Sequence, residues 1–286
     1  MNSALIINLI FSDALTDKEL MMKKQAMVLL ALTTALFVSP LKAEQATKSS
    51  PLPNLSQTKE VTFYVTRHGK TMFNTAHRMQ GWSDTPLTAE GVKVAIQLGK
   101  GIKDVPFAAV YSSDSGRARE TAKLVLAAAG QVKPVIETSL LRETCFGPYE
   151  GTLESVTWGP VAKSLGYEGF KPMLQGLAKN EINLDQMMDT LAATDSGGQT
   201  ETAAQVRTRM KSELSAIAEK VSASGGGNVL VVSHGMAILT MLKGWAPDEQ
   251  LRQQLDNASV TKITYLNGKF SVSKVGDMRY VEKGKQ

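Results

Sequence analysis

The chain has 286 residues, 43% hydrophobic and 21% charged, with 23 Gly and 10 Pro. These proportions exclude a disordered, collagen-like or coiled-coil chain and suit one large α/β domain or two small ones. The net charge of +5 is mild, its Lys and Arg residues are scattered, and aromatics are only 6% of the chain, which argues against nucleic-acid binding.

Residues 22–43 have the layout of a secretory signal peptide. Lys23 and Lys24 precede the apolar stretch Ala26–Val38, and Pro40 and Ala43 follow before Glu44. The stretch is short of the ~20 residues that span a membrane. Cleavage after Ala43 would leave a protein with no membrane partner, exported to a periplasm or secreted. Met1–Met21 carries Asp13, Asp17 and Glu19 ahead of the basic pair, unlike a signal peptide, and reads as an upstream extension. Residues 44–60 are polar and proline-bearing, and read as a flexible leader to a catalytic domain over 61–286.

Within that domain, β-rich apolar runs predict strands at Val61–Thr66, Ala108–Ser112, Val132–Glu137 and Asn228–Ser233. Thr261–Leu266 and Lys269–Val275 flank Asn267-Gly268, a hairpin signal. Helices are predicted over Thr88–Lys103, Asp114–Ala129, Thr200–Ala223 and Met236–Lys243, with Thr88 and Asp114 as N-caps. Strands alternating with helices imply a three-layer α/β/α fold around a mainly parallel sheet. Residues 151–198 are less regular, helical and loop-rich, and are expected to form a lid.

Three of these strands lead at once to chemistry. Val61–Thr66 runs into Arg67-His68-Gly69, Ala108–Ser112 into a helix whose first turn holds Arg117, and Asn228–Ser233 into His234-Gly235. Ligands bind at the carboxyl ends of strands in open parallel sheets, so these side chains should meet at one rim. Two arginines and two histidines there suit a small dianion, most naturally a phosphoryl group. The glycines are expected to let that ligand approach the backbone. The single cysteine, Cys145, excludes an internal disulfide and reads as a small buried filler, and three histidines without metal-ligand spacing disfavour a metal site.

Five segments, in order, resemble the phosphoglycerate-mutase-like branch of the histidine phosphatase superfamily. They are Arg67-His68-Gly69-Lys70-Thr71-Met72-Phe73-Asn74; Gln80 to Thr88 with Glu90-Gly91; Tyr111-Ser112-Ser113-Asp114 with Arg117-Ala118 and Thr121-Ala122; Leu141-Arg142-Glu143 with Gly147 and Glu150-Gly151; and Val232-Ser233-His234-Gly235. The resemblance implies a metal-independent, cofactor-free phosphomonoesterase acting on a small phosphorylated substrate. It implies His68 as nucleophile; Arg67, Arg117 and His234 as holders of the phosphoryl oxygens; Glu143 as proton donor and then base; Asn74 as a further phosphate donor; and Gln80 and Gly81 at the substrate border. Lys70 and Phe73 depart from the family's usual Glu or Gln and Trp. The stretch after Glu143 looks like the phosphatase members. Two other functions compete: a cofactor-dependent phosphoglycerate mutase, against which export counts, and a catalytically silent phosphate-binding module.

Overall fold

The computed structural model describes residues 58–286, so the expected upstream extension, the signal peptide and most of the leader lie outside the described residues. Residues 58–60, read as the end of the leader, are hydrogen-bonded to the domain. Ser222 Oγ donates to the Lys59 carbonyl (2.8 Å) and Gly227 N–H to that of Glu60 (2.9 Å).

Six strands form one sheet: β1 (Val61–Arg67), β2 (Phe107–Ser113), β3 (Val135–Thr138), β4 (Gly227–Ser233), β5 (Val260–Leu266) and β6 (Lys269–Asp277). Their order is β3-β2-β4-β1-β5-β6; the first four pair in parallel, and β5 pairs antiparallel with both β1 and β6. β1 and β4 are central and covered on both sides, which is why they read as nearly unbroken apolar runs. Side-chain alternation divides the core in two. Val61, Phe63, Val65, Val229 and Val231 face one cluster, and Tyr64, Val110, Leu230 and Val232 face the other.

The helices are α1 (Met72–Thr75), α2 (Ala89–Gly101), α3 (Gly116–Ala128), α4 (Glu154–Ser164), α5 (Phe170–Ala178), α6 (Leu184–Thr194), α7 (Ala203–Ala223), α8 (Gly235–Leu242) and α9 (Arg279–Lys283). α7 and α8 cover the first face of the sheet, through Met210, Leu214, Ile217 and Ile238. α2, α3 and α9 cover the second, through Leu98, Ala122, Val125 and Val281. The three layers are those the alternation of strands and helices predicts. Each fully buried side chain of Phe or Leu size contributes about 1.5–3 kcal/mol of transfer free energy.

Three boundaries depart from the sequence reading. The strand predicted from Val132 begins at Val135, because Pro134 has no N–H for the ladder and pairing starts at Val110–Val135; Val132 is left exposed. The helix predicted from Thr200 begins at Ala203, where Thr202 and Gln205 close a capping box. Asp114 does not cap α3. It is held by Arg142 through two bonds of 2.7 and 2.6 Å, and Asp84, from another loop, accepts from Gly116 N–H (2.6 Å) in its place. Residues 151–198 contain α4, α5 and α6, whose apolar faces enclose a third cluster around Trp158, Val161, Met173 and Leu191.

Candidate active site

The parallel register sets Arg67 opposite Ser233, so the residues that follow, His68 and His234, leave adjacent strand ends together. Their ring centroids are 5.1 Å apart, and both rings are almost fully buried. His68 Nδ1 lies 2.8 Å from its neighbour's carbonyl, that of Gly69. A carbonyl only accepts, so Nδ1 carries the proton and Nε2 presents a lone pair. Arg117 Nε donates to that Nε2 at 3.3 Å. Burial, then the charges of Arg117 and Arg67, hold the His68 pKa well below its ordinary value, so the ring is neutral near pH 7. His234 is the N-cap of α8. Its Nδ1 accepts from Arg117 Nη2 (2.9 Å), which puts its proton on Nε2, and burial followed by Arg117 lowers its pKa in the same way.

Arg117, in the first turn of α3, is almost fully buried and fixed from every side. Its Nη1 donates to the Ser83 carbonyl (2.8 Å) and to Asp84 Oδ1 (2.9 Å), and its Nη2 to the Gly81 carbonyl (2.7 Å). The 80–84 loop is therefore folded around the guanidinium. Glu150 holds that loop from behind, accepting from the N–H groups of Gly81, Trp82 and Ser83 at 3.0, 2.7 and 3.0 Å. Arg67 differs. Its Nη1 donates to the Leu255 carbonyl (2.5 Å), but its buried Nε has no protein partner. An unpaired buried donor is costly, and here it borders a cavity.

Glu143 follows a short turn and reaches the start of α8. Its Oε1 accepts from Thr144 N–H (2.9 Å) and Ala237 N–H (2.7 Å), and its Oε2 from Met236 N–H (3.0 Å). Burial raises its pKa, against the opposing pull of these three N–H groups and Arg117. Oε2 has the freer lone pair and is the oxygen placed to carry a proton. The Glu143 carbonyl is clamped by Trp82 Nε1 (3.1 Å) and Arg209 Nη2 (2.8 Å), which fixes the segment.

Arg67, His68, Asn74, Gln80, Glu143 and Gly235 line one end of a cavity of about 190 Å³. The arrangement joins a neutral nucleophilic nitrogen, cationic donors and a buried carboxyl, as group transfer to an imidazole requires.

Residues 63–158 and 173–278 match the sequence profile of the Histidine phosphatase superfamily (branch 1). The chain belongs to that superfamily. A probable phosphoglycerate mutase GpmB of Erwinia tasmaniensis is 28% identical over 228 residues, covering 77% of this chain and 94% of that protein. The crystal structure of a phosphoglycerate mutase from Bacillus anthracis is 43% identical with a TM-score of 0.75, over 81% of this chain and 99% of that one. A phosphoserine phosphatase of Entamoeba histolytica, 21% identical over 77% of this chain and 99% of that one, shares the fold with a TM-score of 0.56. The superfamily's neighbours of this chain thus include both phosphatases and mutases.

The structure sets Arg67, His68, Asn74 and Glu143 at the cavity wall and bonds Arg117 to both His68 and His234, but Arg117 and His234 are themselves buried and are not among the cavity's lining residues. Asn74 spends its Oδ1 on the N-cap of α1, accepting from Thr71 N–H (3.2 Å). Gln80 reaches the wall, but its amide is committed: Oε1 accepts from Thr71 Oγ1 (2.6 Å) and Nε2 donates to Thr85 Oγ1 (2.8 Å). Gly81 is not among the cavity's lining residues. Its role is to bring backbone close, since a Cβ there would stand 2.1 Å from the Thr144 carbonyl oxygen. Gly69 also departs from expectation: a Cβ there would meet the Gly91 carbonyl at 2.5 Å, so it serves loop packing rather than ligand approach. Gly235 does line the cavity.

Sequence reasoning passed over Asp84, the counter-ion of Arg117, although it stands inside a quoted motif segment. Glu150, inside another quoted segment, likewise supports the site by holding the 80–84 loop. Asn257, which donates to the His68 carbonyl (2.9 Å), lies 189 residues away in a loop without a motif, and no sequence signal points to it.

Proposed function

We propose that the protein is an exported phosphatase that hydrolyses small phosphomonoesters through a phosphohistidine at His68, with arginines rather than a metal stabilising the charge. The observation that carries this reading is the fixed His68 tautomer. Nδ1–H is tied to the Gly69 carbonyl, so Nε2 is unprotonated and faces Arg117, and Arg67, with an unpartnered Nε, lines the same cavity as His68. The phosphoryl group would enter the end of the cavity lined by Arg67 and His68, beside which Arg117 and His234 are buried. His68 Nε2 would bond to phosphorus as the ester P–O bond breaks, and protonated Glu143 would give its proton to the departing alkoxide. Glu143, now a carboxylate, would take a proton from water. That water would break the P–N bond, releasing inorganic phosphate and restoring both residues. The segment at 22–43 supports export.

A second reading is favoured by one observation: the Bacillus anthracis relative is named a phosphoglycerate mutase. A mutase would return the phosphoryl group to a phosphoglycerate rather than to water. Rapid-quench labelling with a ³²P phosphomonoester should mark position 68, and His68→Ala should abolish both label and phosphate release. Hydrolysis without label overturns the proposal. Conversion of 2- to 3-phosphoglycerate that depends on 2,3-bisphosphoglycerate, without net phosphate release, establishes the mutase.

A further inference from the structure

The cavity has a second half that phosphoryl transfer does not use. Its lining includes an apolar group besides the polar one: Phe146 and Trp158 meet edge to face, Trp158 stacks on Phe170 at 13°, and Leu174, Met187 and Leu239 line the same cavity, with Gln253 and Gln254 as its uncharged polar members outside the site residues. Apart from Phe146, these side chains come from α4, α5, α6 and α8, so the segment at 151–198 supplies most of this half. Phe146, Trp158, Met187 and Leu239 are buried, while Phe170 and Leu174 are half-buried and turn apolar surface to the space.

The charges point the same way. Arg67, Arg78, Glu143 and Glu154 are the charged side chains lining the cavity. A phosphoryl dianion engages Arg67. Arg78 is exposed and donates to the Gly151 carbonyl (2.7 Å), and Glu154 stands in the same wall as a carboxyl group. A carboxylate on the organic part of the substrate would face two acidic side chains and find one surface arginine. An uncharged hydrocarbon group would find matched walls next to the leaving oxygen.

We propose that this half of the cavity holds the organic part of the substrate, and that the preferred substrates are phosphomonoesters of uncharged, apolar alcohols rather than phosphoglycerates. The assignment rests on the phosphatase reading for its turnover, but not for its binding. Phosphate release should be measured for n-alkyl phosphates from methyl to octyl and for 3-phosphoglycerate. Each added methylene should raise kcat/KM about three- to fourfold until the space is filled, and 3-phosphoglycerate should fall at least tenfold below butyl phosphate. Leu174→Glu should flatten the chain-length slope, and Leu174→Ala, a milder change, should reduce it. With the wild-type chain, n-alkylphosphonates should bind more tightly as they lengthen, read by calorimetry. If alkyl phosphates are turned over without a chain-length slope, or 3-phosphoglycerate is preferred, this assignment is overturned and the phosphatase reading survives. If no ester is turned over but phosphonate affinity climbs with length, the assignment stands and the phosphatase reading fails. Phosphonate affinity that is flat with length overturns it outright.

Discussion

Replacing Glu143 by glutamine separates the two halves of its proposed role. In the wild-type chain both carboxyl oxygens accept backbone N–H groups, two on Oε1 and one on Oε2. A glutamine amide would keep its oxygen toward Thr144 and Ala237 and turn its NH₂ toward the Met236 N–H. One hydrogen bond is lost and two donors face each other, at a cost of about 1–3 kcal/mol in stability. The effect on rate should depend on the leaving group. An alkoxide needs the proton, so kcat/KM for butyl phosphate should fall about a hundred- to ten-thousandfold, or about 3–5 kcal/mol at about 1.4 kcal/mol per tenfold. p-Nitrophenolate leaves without a proton, so kcat/KM for p-nitrophenyl phosphate, which reports only formation of the phosphoenzyme, should change less than about tenfold. The second step still lacks its base. Stopped-flow absorbance should therefore show a burst of p-nitrophenol, close to one per enzyme, followed by slow turnover with labelled His68. Equal losses of kcat/KM on both substrates and no burst would refute the acid–base assignment.

Two other outcomes follow from the charges of the site. Burial, with Arg117 next in weight, holds both His68 and His234 well below the ordinary pKa of about 6.5. As pH falls from 6.5 toward the folded pKa values, the unfolded chain binds protons that the folded chain refuses. The stability present above pH 6.5 is therefore lost on acidification, by up to about 1.4 kcal/mol per pH unit for each histidine. Urea midpoints between pH 7 and pH 5 should show this drop, and His234→Asn should lessen it. Asp84→Asn leaves the buried Arg117 without its ion pair and keeps one acceptor oxygen where Arg117 and the Gly116 N–H use two. Because Asp84 is itself partly exposed, a loss nearer the low end of the usual 3–5 kcal/mol for breaking a buried pair, about 3 kcal/mol, is expected in urea unfolding. Activity should fall with it, as Arg117 loses its hold on both rings.

The sheet and its rim were legible because they depend on local pattern. Apolar β-rich runs end at Arg67-His68 and His234, and in a parallel pair the ends of β1 and β4 must lie side by side. Long-range support was not legible, because it follows from tertiary approach. Nothing near Asp84 in sequence says that it caps a helix more than thirty residues on, and Asp114, with the composition of a cap, is drawn instead to Arg142. Gly69 reads as a ligand-facing glycine because it follows His68, and the family resemblance sets Gly81 at the substrate border. Their actual constraint is the nearness of Gly91 and Thr144, visible only once the chain has folded. The segment at 151–198 read as irregular because its helices are short and bury their apolar faces partly against one another and partly toward the cavity.

One cause, burial, pushes His68 and Glu143 toward the protonation states that the proposed reaction needs. Removing water disfavours the charged form of any titratable group, so the same enclosure that lowers His68 raises Glu143. The imidazole is left neutral with its unprotonated Nε2 held by Arg117, and the carboxyl is biased toward keeping its proton. The arginines pay for this, since they stay charged where water is scarce. Arg117 is offset by Asp84 and backbone carbonyls, whereas Arg67 has one carbonyl and an unpartnered Nε. In the proposed reaction a phosphoryl oxygen would give Arg67 Nε the partner it lacks in the protein. Charge moving onto the phosphoryl oxygens in the transition state would then meet donors already in place, at little further cost in reorganisation.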